Sequence, residues 1–144
     1  MSSDDLRELY QSIIVDHNKN SRNYGTLPLP AKKAEGVNAL CGDRVQVYVR
    51  VTDGFLSAIK FEAAACAICR ASASLMTEAL SGKAVSDLRN QRQIVERLLS
   101  GRASDKLSAN KELSALSGIH QFPSRINCAL LPWQTLEDAL SEEG

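Results

Sequence analysis

The chain has 144 residues, 44% of them hydrophobic, with 17 Lys plus Arg offset by 17 Asp plus Glu. That length supports one domain with its own core, and no apolar run reaches the about 18 residues that a membrane-spanning helix needs. The balanced charge lacks the basic footprint that tracks phosphates or anionic lipid heads, so no nucleic-acid or membrane partner is expected.

The opening Met1-Ser2-Ser3-Asp4-Asp5 is acidic and polar where a secretory signal would be basic and then apolar, which predicts a cytoplasmic protein with reduced thiols. Ser3, Asp4 and Asp5 have the character of a helix start, and Leu6, Leu9, Tyr10, Ile13, Ile14 and His17 then share one face at spacings of three and four. Residues 18–30 turn to Asn, Ser, Gly and Pro, an irregular surface segment.

Val45, Val47, Val49 and Val51 alternate with Arg44, Gln46, Tyr48 and Arg50, the pattern of a strand with one buried face. Asp53-Gly54 then closes a hairpin, and Ile59, Phe61 and Ala63 alternate on the returning strand. Helical spacing resumes over 70–80 through Ala71, Leu75, Met76, Ala79 and Leu80, with Gly82 placed as a C-terminal cap. A further helix over 86–100 turns Leu88, Val95, Leu98 and Leu99 inward and stops at Gly101.

Residues 101–111 read as a polar loop, and Leu113 with Leu116 mark a short helical turn ended by Gly118. Pro123 opens the last helix, where its missing N–H is one the first turn leaves unpaired anyway. Inside that helix, Pro132 removes the donor that would serve the carbonyl of Cys128, so a kink is expected there. The fold class is α+β: a small antiparallel three-stranded sheet packed against about five helices, in a single domain over 1–144.

Chemistry concentrates in Cys41, Asp43, Cys66 and Cys128. Gly42 lets the backbone turn so that the Cys41 thiolate and the Asp43 carboxylate can face one point. The hairpin should bring Cys66 to the same end, and Cys128 lies in the first turns of a helix whose dipole favours a thiolate. These four side chains match a tetrahedral zinc site without either histidine.

Three thiolates and a carboxylate sum to about minus four, about minus two with zinc bound, and Arg125, one helical turn before Cys128, is the nearest cation to donate to them from outside. A carboxylate among thiolates makes a site that opens more readily than four cysteines, and a released Cys41 thiolate is a good nucleophile toward a sulfur donor. Cys69 leaves a second option open, since Cys66-Ala67-Ile68-Cys69 has metal or redox spacing and Cys69 could take the place of Asp43. The other reading makes Cys69 a buried thiol at a helix start. His17 reads as a packed histidine and His120 as a weaker ligand candidate. Ser72 and Ser74 allow close backbone approach, and no histidine base is placed beside them by sequence for serine catalysis.

Leu9-Tyr10, Asp16-His17, Arg22-Asn23, Cys41-Gly42-Asp43, Cys66-Ala67-Ile68, Ala71-Ser72-Ala73-Ser74 and Phe122-Pro123-Ser124-Arg125-Ile126-Asn127-Cys128-Ala129 together resemble the iron-sulfur cluster assembly proteins of the IscU, NifU N-terminal and SufU type. The long segment between Cys66 and Cys128, and Asn127 where IscU proteins carry a ligand histidine, point to the SufU branch. The resemblance implies a zinc-dependent sulfurtransferase partner of a SufS-like cysteine desulfurase, a pyridoxal phosphate enzyme, passing persulfide sulfur to a downstream cluster scaffold. It also implies that Cys41 accepts the sulfur while Cys41, Asp43, Cys66 and Cys128 hold Zn2+. The alternatives are a scaffold that builds a labile [2Fe-2S] cluster on the same ligands, and a structural zinc module. The chain departs from the family in Ala63-Ala64-Ala65 before Cys66, where glycines are usual, and in Cys69, where a serine is usual.

Overall fold

The computed structural model describes residues 3–40, 42–101 and 112–141, with side chains from residue 8. The elements are α1 (Ser3–Lys19), β1 (Lys32–Asn38), β2 (Asp43–Thr52), β3 (Phe55–Ala64), α2 (Ala67–Leu80), α3 (Asp87–Leu99), a 3-10 helix (Leu113–Gln121) and α4 (Pro123–Ser141). The three strands form one antiparallel sheet in the order β1, β2, β3. No helix among the described residues is long and apolar enough to cross a membrane. The predicted loop over 101–111 lies outside the described residues except for Gly101.

The central hairpin follows from its turn chemistry. Asp53 and Gly54 adopt φ of 55° and 83°, the left-handed pair that matches the twist of the flanking strands. Val45, Val47 and Val49 are fully buried, as their alternation predicts, whereas Val51, near the end of β2, is 37% exposed.

The returning strand departs from simple alternation. Arg50 pairs with Ala58 but Val51 pairs with Leu56, so Ser57 is an extra residue on β3. This bulge lets Leu56, as well as Ile59 and Phe61, point into the core. The Ser57 hydroxyl secures it by donating to the Arg50 carbonyl at 3.0 Å.

The third strand, β1, could not be placed from hydrophobic pattern because Lys32–Asn38 is a polar edge strand in which Gly36 alone is buried. Gly36 sits where β1 meets α4, and a Cβ there would collide with the Thr135 hydroxyl. α4 covers β1 and β2, α2 lies along β3 and against α4, and α1 and the 3-10 helix pack outside α2. Trp133, Leu136, Met76, Leu80 and Phe61 fill the space between these layers. In α1 the inward residues are Ile14 and His17 with Tyr10 and Ile13 partly buried, while Leu9 is 42% exposed.

α2 begins at Ala67, three residues earlier than its apolar spacing indicates, because Cys66 already holds the extended N-cap backbone (φ −67°, ψ 165°). The turn at Leu113 is longer than predicted and runs to Gln121 as a 3-10 helix through Gly118. α4 continues from Pro123 to Ser141 with Pro132 inside it.

Candidate metal centre

The site forms where three elements begin. Asp43 is the first residue of β2, Cys66 is the N-cap of α2 just beyond β3, and Cys128 lies in the second turn of α4. Antiparallel pairing sets Asp43 opposite Asn38 and Arg44 opposite Ala64, so the end of β1, the start of β2 and the end of β3 meet at one end of the sheet.

One carboxylate oxygen, one thiol sulfur and a second sulfur from these residues lie within 4.8 Å of one another. Asp43 is 2% exposed and Cys128 is fully buried. Asp43 Oδ1 accepts the Cys66 backbone N–H at 2.9 Å, and Oδ2 lies 3.6 Å from Cys66 Sγ, to which the neutral thiol donates. Cys66 thus occupies a cap position without capping its own helix by its side chain, and its sulfur stays directed at Asp43. No disulfide joins Cys66, Cys69 and Cys128.

This donor set fits zinc. Bonds of roughly 2.0–2.3 Å place tetrahedral ligand atoms about 3.3–3.8 Å apart, so three atoms already within 4.8 Å need only side-chain adjustment to share an ion. The positive end of α2 lies at the site, since Cys66 is its N-cap, and offsets part of the ligands' negative charge. Cys41, the fourth expected ligand, lies outside the described residues. Its neighbours mark where the chain runs: Leu40 is 95% exposed, and Gly42 takes φ +73° with its N–H donating to the Asn38 carbonyl at 2.8 Å.

The remaining candidates separate. Cys69 is fully buried within the hydrophobic core in the first turn of α2, and neither it nor His120 joins the Asp43, Cys66 and Cys128 group. His120 instead bonds the Ser117 carbonyl through Nδ1 at 2.6 Å. Arg125 is exposed in the first turn of α4.

Ser72 is structural: its hydroxyl donates to the Ala129 carbonyl at 2.5 Å and accepts the Trp133 indole N–H at 3.1 Å, tying α2 to α4 next to Cys128. Sequence reasoning missed Asn38, which reaches Cys128 Sγ from β1 at 4.0 Å. Its position before a turn was a usable signal for a backbone contact, but not for one with a residue ninety positions later.

His17 belongs to a different network. The ring Nδ1 lies 2.7 Å from Ser74 Oγ, which also accepts the Arg22 backbone N–H at 2.8 Å, and Nε2 lies 3.0 Å from Glu112 Oε1 and 4.0 Å from Glu78 Oε1. In the neutral ring the Ser74 hydroxyl donates to Nδ1 and Nε2–H donates to Glu112, which satisfies every group. His17, Glu78 and Glu112 form the second group of ligand types within 4.8 Å, but the Arg22 guanidinium stands 3.5 Å from Glu78 and already supplies a cation. The network ties α1, α2 and the 3-10 helix together, in keeping with a packed histidine.

Residues 9–129 match the NifU-like N-terminal domain profile. The chain is 35% identical over 138 residues to the zinc-dependent sulfurtransferase SufU of Bacillus subtilis, covering 96% of this chain and 93% of that protein. It is 33% identical over 137 residues to the iron-sulfur cluster assembly scaffold protein IscU of Thermotoga maritima, covering 95% and 96%. Among solved structures, a putative cluster assembly scaffold protein for the SUF system from Fervidobacterium islandicum superposes with a TM-score of 0.83 at 30% identity, covering 97% of this chain and all of that one. Backbone superposition and sequence agree, and the chain belongs to the NifU-like N-terminal domain family, with its similarity to SufU carried along nearly the whole length.

Proposed function

We propose that this protein accepts persulfide sulfur on Cys41 from a cysteine desulfurase and passes it on for iron-sulfur cluster assembly, with Cys41, Asp43, Cys66 and Cys128 as the ligands of one zinc ion. The observation that carries the reading is the convergence of Asp43, Cys66 and Cys128 within 4.8 Å at the end of the sheet where β2 starts. Bound zinc would neutralise the thiolates and shield them from oxidation without itself changing redox state.

Asp43 begins β2, Cys66 caps α2 and Cys128 lies within α4, and in this reading Cys41 is the ligand that exchanges. Its thiolate attacks the outer sulfur of the donor's cysteine persulfide. The donor S–S bond breaks, the donor cysteine leaves as a thiolate, and Cys41 carries the persulfide, with no net oxidation or reduction. Leu40, the residue before Cys41 in sequence, is 95% exposed, which supports a step that a partner enzyme can reach. In this reading Arg125, exposed one helical turn ahead of Cys128, is the cation that donates to the ligands' negative charge from outside.

Turnover of the cognate pyridoxal phosphate-dependent desulfurase, measured with wild type and with Cys41→Ala, tests the assignment. Stimulation by wild type that vanishes in the variant is expected; stimulation that survives in the variant rejects Cys41 as acceptor. The second reading, a scaffold for a labile [2Fe-2S] cluster on the same ligands, is favoured by the 33% identity to the Thermotoga maritima scaffold protein. Anaerobic purification followed by metal analysis and visible absorbance separates the two, zinc being colourless and a cluster absorbing.

A further inference from the structure

Asn38, the last residue of β1, touches both the turn and the fixed ligands. Its Oδ1 accepts the Leu40 N–H at 3.1 Å, and its main-chain carbonyl accepts the Gly42 N–H at 2.8 Å, so the chain after β1 folds back around this one residue. Its Nδ2 is directed at Cys128 Sγ, 4.0 Å away on α4, a long contact that a shortening of a few tenths of an ångström would make an ordinary N–H···S bond. Across the sheet it is the register partner of Asp43. The β1–β2 turn and a ligand from the far end of the sequence are thus held by opposite ends of one planar amide.

We propose that Asn38 is a positioning residue of the metal centre: its amide N–H donates to the Cys128 sulfur while its oxygen holds the turn between β1 and β2 in register. The proposal rests on the metal-centre reading above. The chemistry selects an amide, which offers a donor and an acceptor on one short side chain. Aspartate would keep the turn acceptor but set a negative oxygen against the sulfur. Serine would keep a hydroxyl for the turn but offer no donor long enough to reach α4. A donor to a thiolate makes a charge-assisted bond, and groups that support a ligand in this way orient it and strengthen its hold on the metal.

The test compares wild type with Asn38→Asp, Asn38→Ser and Asn38→Ala by three measurements. These are zinc affinity by competition with a chromophoric chelator, the thiolate-to-metal charge-transfer band of the cobalt(II)-substituted protein, and the Tm of the metal-free chain. Asn38→Ser should keep a Tm near wild type yet bind zinc roughly 10–100-fold more weakly, with a shifted cobalt band; Asn38→Asp should lose more affinity than Asn38→Ser. Zinc affinity and cobalt bands unchanged in all three variants, or affinity losses that only follow losses of Tm, would overturn the role of Asn38 while wild type still binds one zinc. A wild type that binds neither zinc nor cobalt overturns the metal-centre reading, and the role of Asn38 with it.

Discussion

The Asp43 carboxylate and Cys66 meet twice, at the Cys66 backbone N–H (2.9 Å) and at its sulfur (3.6 Å), so the side chain proposed to help bind metal also accepts the first hydrogen bond at the start of α2. Metal ligation and helix initiation are coupled in one residue. The coupling explains how a carboxylate stays 2% exposed beside two cysteines. It accepts a donor that burial would otherwise leave unpaired.

The two roles of Asp43 separate by substitution. Asp43→Asn retains an acceptor for the Cys66 N–H and should unfold near wild type in metal-free urea titrations, while zinc affinity falls at least about tenfold. Asp43→Ala should weaken zinc as well and cost about 1–3 kcal/mol of metal-free stability, because the Cys66 N–H loses its partner. Equal stability and equal zinc affinity in all three proteins would remove Asp43 from the site.

Ser72 carries a different load. Its hydroxyl bridges the Ala129 carbonyl and the Trp133 indole N–H, all buried. Ser72→Ala leaves the indole donor without this acceptor and should cost about 1–3 kcal/mol. Fluorescence of Trp133, the chain's one tryptophan, follows the loss in urea and should also report the altered indole environment. An unchanged midpoint and spectrum would mean that the bridge contributes nothing.

Acid stability depends in part on Asp16. The hydrogen bond from Arg22, first, and that from the Asn20 amide, second, hold the Asp16 carboxyl below its ordinary value. The folded pKa is therefore lower than the unfolded one, and the unfolded chain takes up this proton first as pH falls. The stabilisation is present above the unfolded value of about 3.9 and is lost as pH drops through the folded one. Asp16→Asn should be less stable than wild type at neutral pH and converge with it in acid; a constant difference between the two across that range contradicts the pairing.

Local pattern made much of the fold legible. Valine alternation located β2, and Asp53-Gly54 located the hairpin, because period and turn chemistry act over a few residues. β1 escaped because Lys32–Asn38 is an edge strand with little apolar content, defined by its pairing with β2 and by the approach of Gly36 to Thr135. Leu56 escaped because the extra residue at Ser57 shifts the alternation, and a bulge leaves no mark in hydropathy.

The sequence by itself determined which residue types could bind a metal, since thiolates and a carboxylate at a turn, a strand end and a helix start are matters of local chemistry. Tertiary structure decided which of them meet. Asp43 and not Cys69 joins Cys66 and Cys128, because α2 begins at Ala67 and carries Cys69 into the core, while the register of β2 on β3 brings Asp43 to the cap of that helix. Asn38 and Cys128, ninety residues apart, meet only through the packing of α4 on the edge strand. Spacing along a chain says little about distances that are set by how a helix lies across a sheet.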